Sequence, residues 1–203
     1  MNENGMYLYE FHQFLKGSID TIIKETKVPE TVIEVGLYQG YFTFNMTHML
    51  AESNPNYKHY AIDPYTGCQD LDKDMIDNAY KCFHHNLNVS PYSKNIEFIN
   101  KTSWNGLLDL LNRNVKADLI YIDGSHTADD VLQDIVLSWN LLKTGGVILL
   151  DDATSWCYTD KNGEKALQYS PRLAVDAFIH CNWGKIEVIN LPSSYQTAFI
   201  KRS

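Results

Sequence analysis

Three aspartates stand where chemistry is easiest to build. Asp123 closes the apolar run Leu119-Ile120-Tyr121-Ile122, and the pair Asp151-Asp152 closes a second run, Val147 to Leu150. If both runs are adjacent strands pointing the same way, the three carboxylates share one crevice. Two unit charges about 4 Å apart repel by roughly 4 kcal/mol at an effective dielectric of 20. Such a cluster needs a proton or a cation. Oxygen donors with no His or Cys among them select Mg²⁺ over zinc. His126 follows Asp123 by three residues. An imidazole titrates near neutrality and can take a proton from a substrate hydroxyl. It could equally pack beside the substrate, or bond to Asp129 or Asp130.

A second constellation begins at Thr31. The run Thr31-Val32-Ile33 leads into Glu34-Val35-Gly36-Leu37-Tyr38-Gln39-Gly40, and a helical pattern follows with Phe42, Met46, Met49 and Leu50 on one face. Glycines in such a turn let the backbone bend and approach a ligand where a Cβ would collide. A nucleotide-like group over a strand–loop–helix lies at the carboxyl end of the sheet. The dinucleotide fingerprint wants Gly-x-Gly-x-x-Gly, and Tyr38 and Gln39 break that spacing. Two candidates follow downstream: Asp63 in Tyr60-Ala61-Ile62-Asp63-Pro64, and the segment Asn100-Lys101-Thr102-Ser103-Trp104. Asp63 alone also reads as a turn cap before Pro64. Trp104 could stack on an aromatic ring or simply join the core. Glu34 ends a buried strand, where an unpaired charge is costly. It either accepts N–H bonds that orient the glycine loop or meets an amine of the ligand.

The elements that position these residues alternate. An N-terminal helix carries Leu8, Phe11, Leu15, Ile19, Ile22 and Ile23 on one stripe, and Pro29 breaks the chain before the first strand. Strands are expected at Lys58–Asp63, Ile96–Asn100, Ala117–Asp123 and Val147–Leu150, with Ala117–Asp123 apolar on both faces as a central parallel strand requires. Helices carry Met75, Ile76, Ala79, Tyr80, Phe83 and Leu87, then Val131, Ile135 and Leu142, then Leu173, Ala174, Ala177, Phe178 and Cys181. Thr127-Ala128-Asp129-Asp130 reads as a capping box for the second of these, and Gly145-Gly146 as its end. Ser170-Pro171 opens the third. Lys185–Leu191 and Tyr195–Lys201 flank a Pro192-Ser193-Ser194 turn too short for a parallel crossover, so these two strands run antiparallel. The expectation is a doubly wound α/β sheet closed by one reversed hairpin.

At 203 residues the chain suits a single domain over 1–203, with the helix in 1–26 capping the acceptor side. A net charge of −8 without a Lys/Arg run argues against nucleic acid. No apolar run approaches a membrane span, and the start lacks the regions of a signal peptide. Cys68, Cys82, Cys157 and Cys181 show no Cys-x-x-Cys spacing and read as free thiols of a cytoplasmic protein. The acceptor sequences at Asn45 and Asn100 therefore carry little weight. Cys82, His84 and His85 cannot aim at one point from a single helix.

Glu34-x-Gly36-x-x-x-Gly40 resembles the first motif of class I S-adenosylmethionine-dependent methyltransferases. The resemblance implies a mostly parallel seven-stranded sheet of order 3-2-1-4-5-7-6. It implies a cofactor site of Glu34, Gly36, Tyr38, Gly40, Asp63 on the ribose, Ser103 and Trp104 on the adenine, and Asp123. The acids at 123, 151 and 152 resemble the magnesium ligands of metal-dependent O-methyltransferases such as catechol O-methyltransferase. Ile122-Asp123-Gly124-Ser125-His126 with Gly145-Gly146-Val147 looks closer to a branch of cephalosporin hydroxylase-like and macrolide-sugar O-methyltransferases. It covers Thr31–Asp152 strongly, weakens to about Phe178, and leaves the first 26 residues unmatched. Catechol-type enzymes carry a catalytic lysine where His126 stands, so its role here is open.

The implied activity is Mg²⁺-assisted O-methylation of a small molecule, with Asp123 and His126 catalytic and a homo-oligomer compatible with it. The acceptor pocket would come from the N-terminal segment and Ala153–Tyr169, with Tyr65, Trp156 and Tyr158 at its mouth or serving as a lid. Three rivals stand beside it. In one, Asp152 caps a turn, Asp123 supports the cofactor and no metal binds. The second is a non-catalytic binding module, and the third a nicotinamide-dependent oxidoreductase.

Overall fold

The computed structural model describes residues 13–67, 71–153 and 167–203. Leu8, Phe11, Cys68, Trp156, Cys157 and Tyr158 fall outside them. Helix α1 (Gln13–Glu25) precedes strand β1 (Thr31–Val35), α2 (Tyr41–Ala51), β2 (Lys58–Ile62), α3 (Lys73–Val89) and β3 (Ile96–Ile99). Then come α4 (Ser103–Asn112), β4 (Ala117–Ile122), α5 (Ala128–Leu141), β5 (Leu142–Leu150), α6 (Pro171–Cys181), β6 (Ile186–Ile189) and β7 (Thr197–Lys201). The sheet order is β3-β2-β1-β4-β5-β7-β6, with β7 antiparallel to both β5 and β6. This is the architecture of the class I methyltransferase fold expected from the sequence.

Alternation along the central strands divides the core. Ile33, Val35, Ile120, Ile122, Ile148 and Leu150 pack against α4, α5 and α6. Val32, Leu119, Tyr121, Val147 and Leu149 face α1 and α2 on the other side. A period of two puts successive side chains on opposite faces, so a strand covered on both must be apolar throughout. All six residues of β4 are buried.

Several boundaries differ from expectation. Gly145 and Gly146 do not end α5. The helix stops at Leu141 and the chain turns extended at Leu142, so both glycines lie within β5. The β4–β5 register shifts between Ala117 and Leu119, and a Cβ on Gly146 would come 3.0 Å from the Asp118 carbonyl oxygen. Thr127 and Ser170 hold the N-cap positions of α5 and α6 without a side-chain cap bond. The Ser125 hydroxyl instead accepts the Thr127 N–H. Met49, Met75, Tyr80 and Leu173, read as inward, are exposed, because each helix buries a narrower stripe than its apolar residues span.

The far end of the sheet is tied by Asp118, whose carboxylate accepts the Glu30 and Thr31 N–H groups and pairs with Lys27 and Lys143. Burial alone would raise its pKa, but the two lysines and the Thr31 amide outweigh that and hold it below the ordinary range. Its stabilising effect is therefore present above the unfolded pKa of about 3.9 and is lost as pH falls through the folded value. Asp118→Ala should lower the unfolding free energy by about 1–3 kcal/mol at neutral pH. The gap to wild type, read by urea denaturation, should close in acid.

Candidate active site

The glycine turn does what its sequence suggests, but its two glycines serve different ends. Gly36 is left-handed (φ +83), and a Cβ there would lie 2.1 Å from the Asp123 carbonyl oxygen and 2.7 Å from Cα of Gly124. No side chain fits between the loops after β1 and β4. Gly40 (φ +80) caps α2, and its missing Cβ leaves room for Phe44 and Phe83 at 2.5 and 2.6 Å. It is required by packing, and it does not line the cavity.

Glu34 does not reach the cavity either. It is 1% exposed, and its carboxylate accepts the Thr43 hydroxyl at 2.6 Å, the Thr43 N–H, and His59 Nε2 at 2.8 Å. Tyr57 continues the chain to His59 Nδ1 at 2.8 Å. Burial pushes the Glu34 carboxyl well above its ordinary range, against the pull of Thr43, and holds the His59 imidazole down to about 3. Glu34 and His59 form a hydrogen-bonded couple with a neutral imidazole. Their role is to hold the first turn of α2 against β1 and β2, and so to brace the loop from behind.

In front of the loop lies a cavity of about 870 Å³. Gly36, Tyr38, Asp63, Ser103, Trp104, Asp123 and His126 all line it. Asp63 Oδ2 accepts the Leu37 N–H at 2.8 Å and Oδ1 the Tyr65 N–H at 2.7 Å. A carboxylate offers about four lone-pair sites, so two remain after both loops are clamped. Tyr65 donates its hydroxyl to the Tyr38 carbonyl at 2.8 Å, closing the rim. Tyr38, Tyr65 and Asp152 are three of the four non-glycine residues with positive φ among the described residues. Such conformations cluster where surrounding structure fixes a site.

The acids are rearranged relative to expectation. Asp123, His126 and Asp152 form the group whose donor atoms all lie within 4.8 Å of one another. His126 Nε2 is 3.4 Å from Asp152 Oδ2. Asp151 turns to Tyr121, whose hydroxyl lies 2.5 Å from Asp151 Oδ2 and 3.0 Å from Asp123 Oδ2. The one hydroxyl proton is shared between the two carboxylates, with Asp151 the nearer acceptor. Asp123 opens onto the cavity and is itself exposed through it. The desolvating walls around its carboxyl, then the Asp151 charge, push it above the ordinary range. The expected triad of Asp123, Asp151 and Asp152 is thus replaced by two carboxylates and one imidazole.

Tyr121 escaped the sequence reading because its strand is apolar throughout. The available signal was its place two residues before Asp123, which puts both on one face. Asp134 was also missed. It is 2% exposed on α5, lines the cavity and bonds to Ser103.

A family described as a methyltransferase domain matches residues 33–153, more than half of the chain. The chain belongs to that family. Two solved structures share the domain's fold. One is an SAH-bound methyltransferase, PaMTH1 of Podospora anserina, 17% identical with a TM-score of 0.59, covering 94% of this chain and 78% of its own. The other is an O-methyltransferase from Bacillus cereus in complex with SAH, 14% identical with a TM-score of 0.64, covering 92% and 80%. No curated protein matches the chain in sequence. The likeness to class I S-adenosylmethionine-dependent methyltransferases read from the sequence is borne out. Among the described residues, no helix of this methyltransferase domain is long and apolar enough to cross a membrane.

The close approach at Gly36 gives a direct test. Gly145 is also left-handed (φ +82), but a Cβ there meets nothing within 4 Å. Gly145→Ala should cost about 1–2 kcal/mol from backbone conformation alone. Gly36→Ala should lower the melting temperature further, because the loops after β1 and β4 must separate. Equal losses would contradict the packing argument.

Proposed function

We propose that the protein methylates a hydroxyl of a small molecule, using S-adenosylmethionine as donor and a divalent cation, Mg²⁺ or Mn²⁺, to hold the acceptor oxygen. The observation that carries this reading is the Asp123–His126–Asp152 group beside the cavity that Asp63 and the glycine turn share. The SAH in both solved neighbours supports the donor. S-Adenosylmethionine, when bound, supplies an electrophilic methyl group on a sulfonium.

The residues fit the donor. Gly36 and Leu37 offer a backbone without obstruction, the free lone pairs of Asp63 suit the two ribose hydroxyls, and Ser103 and Trp104 stand toward the base. Asp123 and Asp152 supply the hard oxygen donors for the cation, with His126 adjacent. A phenolic hydroxyl has a pKa of about 10, and bringing it to about 7 takes roughly 4 kcal/mol, within the reach of a bound cation. His126 then accepts the hydroxyl proton as the oxygen takes the methyl group. Tyr121 holds Asp151 and steadies Asp123.

The acidic net charge supports a small-molecule acceptor over nucleic acid, and a cytoplasmic location belongs to the same reading. A metal-free methyltransferase is the second reading, favoured by Tyr121, which already relieves part of the repulsion between Asp123 and Asp151.

Calorimetric titration should show S-adenosylhomocysteine binding and no binding of NAD; the reverse result would sink the donor assignment. With catechol as acceptor probe, chelator or Asp152→Asn should lower turnover by about 10²- to 10³-fold, the rate equivalent of about 3–4 kcal/mol from a cation. Donor binding should survive both treatments. Because Asp123 must ionise to hold a cation and its carboxyl is pushed up, Mn²⁺ affinity should weaken as pH falls. Full turnover in chelator would leave the metal-free reading.

A further inference from the structure

Asp134 is a buried acid that the proposed reaction leaves unused. It projects from α5, is 2% exposed and still forms part of the cavity wall. A carboxyl in such a place is costly unless bonded, and that of Asp134 bonds to Ser103, the first residue of α4. That bond fixes where Asp134 stands. Asp63 marks the end of β2 and the Asp123–His126–Asp152 group the end of β4 and β5. Asp134 stands with Ser103 and Trp104 at the start of α4, beyond β3. The donor's ribose belongs at Asp63 and its sulfur at the acid group, so the end left over for Asp134 is the base.

We infer that Asp134 is a recognition residue for the purine, its carboxylate set by Ser103 to accept a hydrogen bond from the exocyclic amine. This rests on the donor seat proposed above and deepens it. An ionised carboxylate accepts only, so it selects an amine and disfavours a carbonyl at the same ring position. Adenine carries the amine; hypoxanthine carries the carbonyl. A site built around one polar partner rejects the analogue that leaves it unmatched.

The same geometry links binding to protons. Burial raises the Asp134 carboxyl to about 7, the Ser103 bond pulls the other way, and Asp130, one turn earlier on α5, raises it further. The other ionisable groups lining the cavity are His126 and Asp123 from the loop after β4, Asp63 and Tyr65 after β2, and Tyr38 after β1. A ligand that favours the ionised form lowers the pKa. Binding near pH 7 therefore releases part of a proton, and affinity rises as pH climbs through about 7.

The test is calorimetric titration of S-adenosylhomocysteine into the full chain at pH 7 with chelator present. Two buffers of different ionisation enthalpy count the protons released. Wild type should release a measurable fraction of a proton and bind S-inosylhomocysteine about tenfold or more weakly. Asp134→Asn should lose that fraction, lose the rise in affinity between about pH 6 and pH 8, and narrow the preference for adenine. An unchanged proton count and preference in a folded variant would overturn the inference. If the variant does not fold, wild type decides: no proton release and no preference for adenine would overturn it alone. No binding of S-adenosylhomocysteine at all would overturn the donor seat as well.

Discussion

One close backbone approach governs this site: Gly36 lies against the Asp123 carbonyl so tightly that no side chain can stand between them. The approach follows from ladder bonds that run one step beyond the strands. Gly36 N–H donates to the Ile62 carbonyl, Asp123 N–H to Val35 and Asp151 N–H to Ile122. These bonds hold the carboxyl ends of β2, β1, β4 and β5 in register. The glycine turn, the ribose acid and the acid group then open into one crevice. Loosening any one of these loops would move the others.

Across the fold the protein handles acids in three ways. Asp118, at the opposite end of the sheet, is paired with cations and stays ionised. Glu34 is bonded to Thr43 and a neutral His59, and burial pushes its carboxyl well above the ordinary range, which disfavours a charge in the core. Among the described residues, the cluster of Asp123, Asp151 and Asp152 is relieved by the Tyr121 hydroxyl, His126 and the Asp152 N–H, which donates to Asp151. Of these three, only the last reaches the cavity. That difference separates structural acids from reactive ones more clearly than their positions in the sequence do.

Much of this was legible in the residues. Two-sided apolar runs specify buried parallel strands, and the short Pro192-Ser193-Ser194 turn forces the antiparallel end. Asp63, Ser103, Asp123 and His126 were readable because each follows a strand on the carboxyl side. What failed concerned direction. Glu34 and Gly36 are two residues apart, yet Glu34 turns inward to α2 while Gly36 meets the cavity, because the strand ends between them. Gly145-Gly146 looks like a helix stop, but the β4–β5 register makes it a strand irregularity. Asp134 sits among Val131, Ile135 and Ser138 on the inner stripe of α5, and a charge on such a stripe was the overlooked signal.

The most direct measurement is a crystal structure of the protein with S-adenosylhomocysteine bound. The ribose hydroxyls should lie within about 2.6–3.2 Å of the Asp63 carboxylate, with the sulfur directed toward Asp123. A ligand lying the other way round, with its base toward Asp123 and Asp152, or a cavity left empty at saturating ligand, would contradict the account.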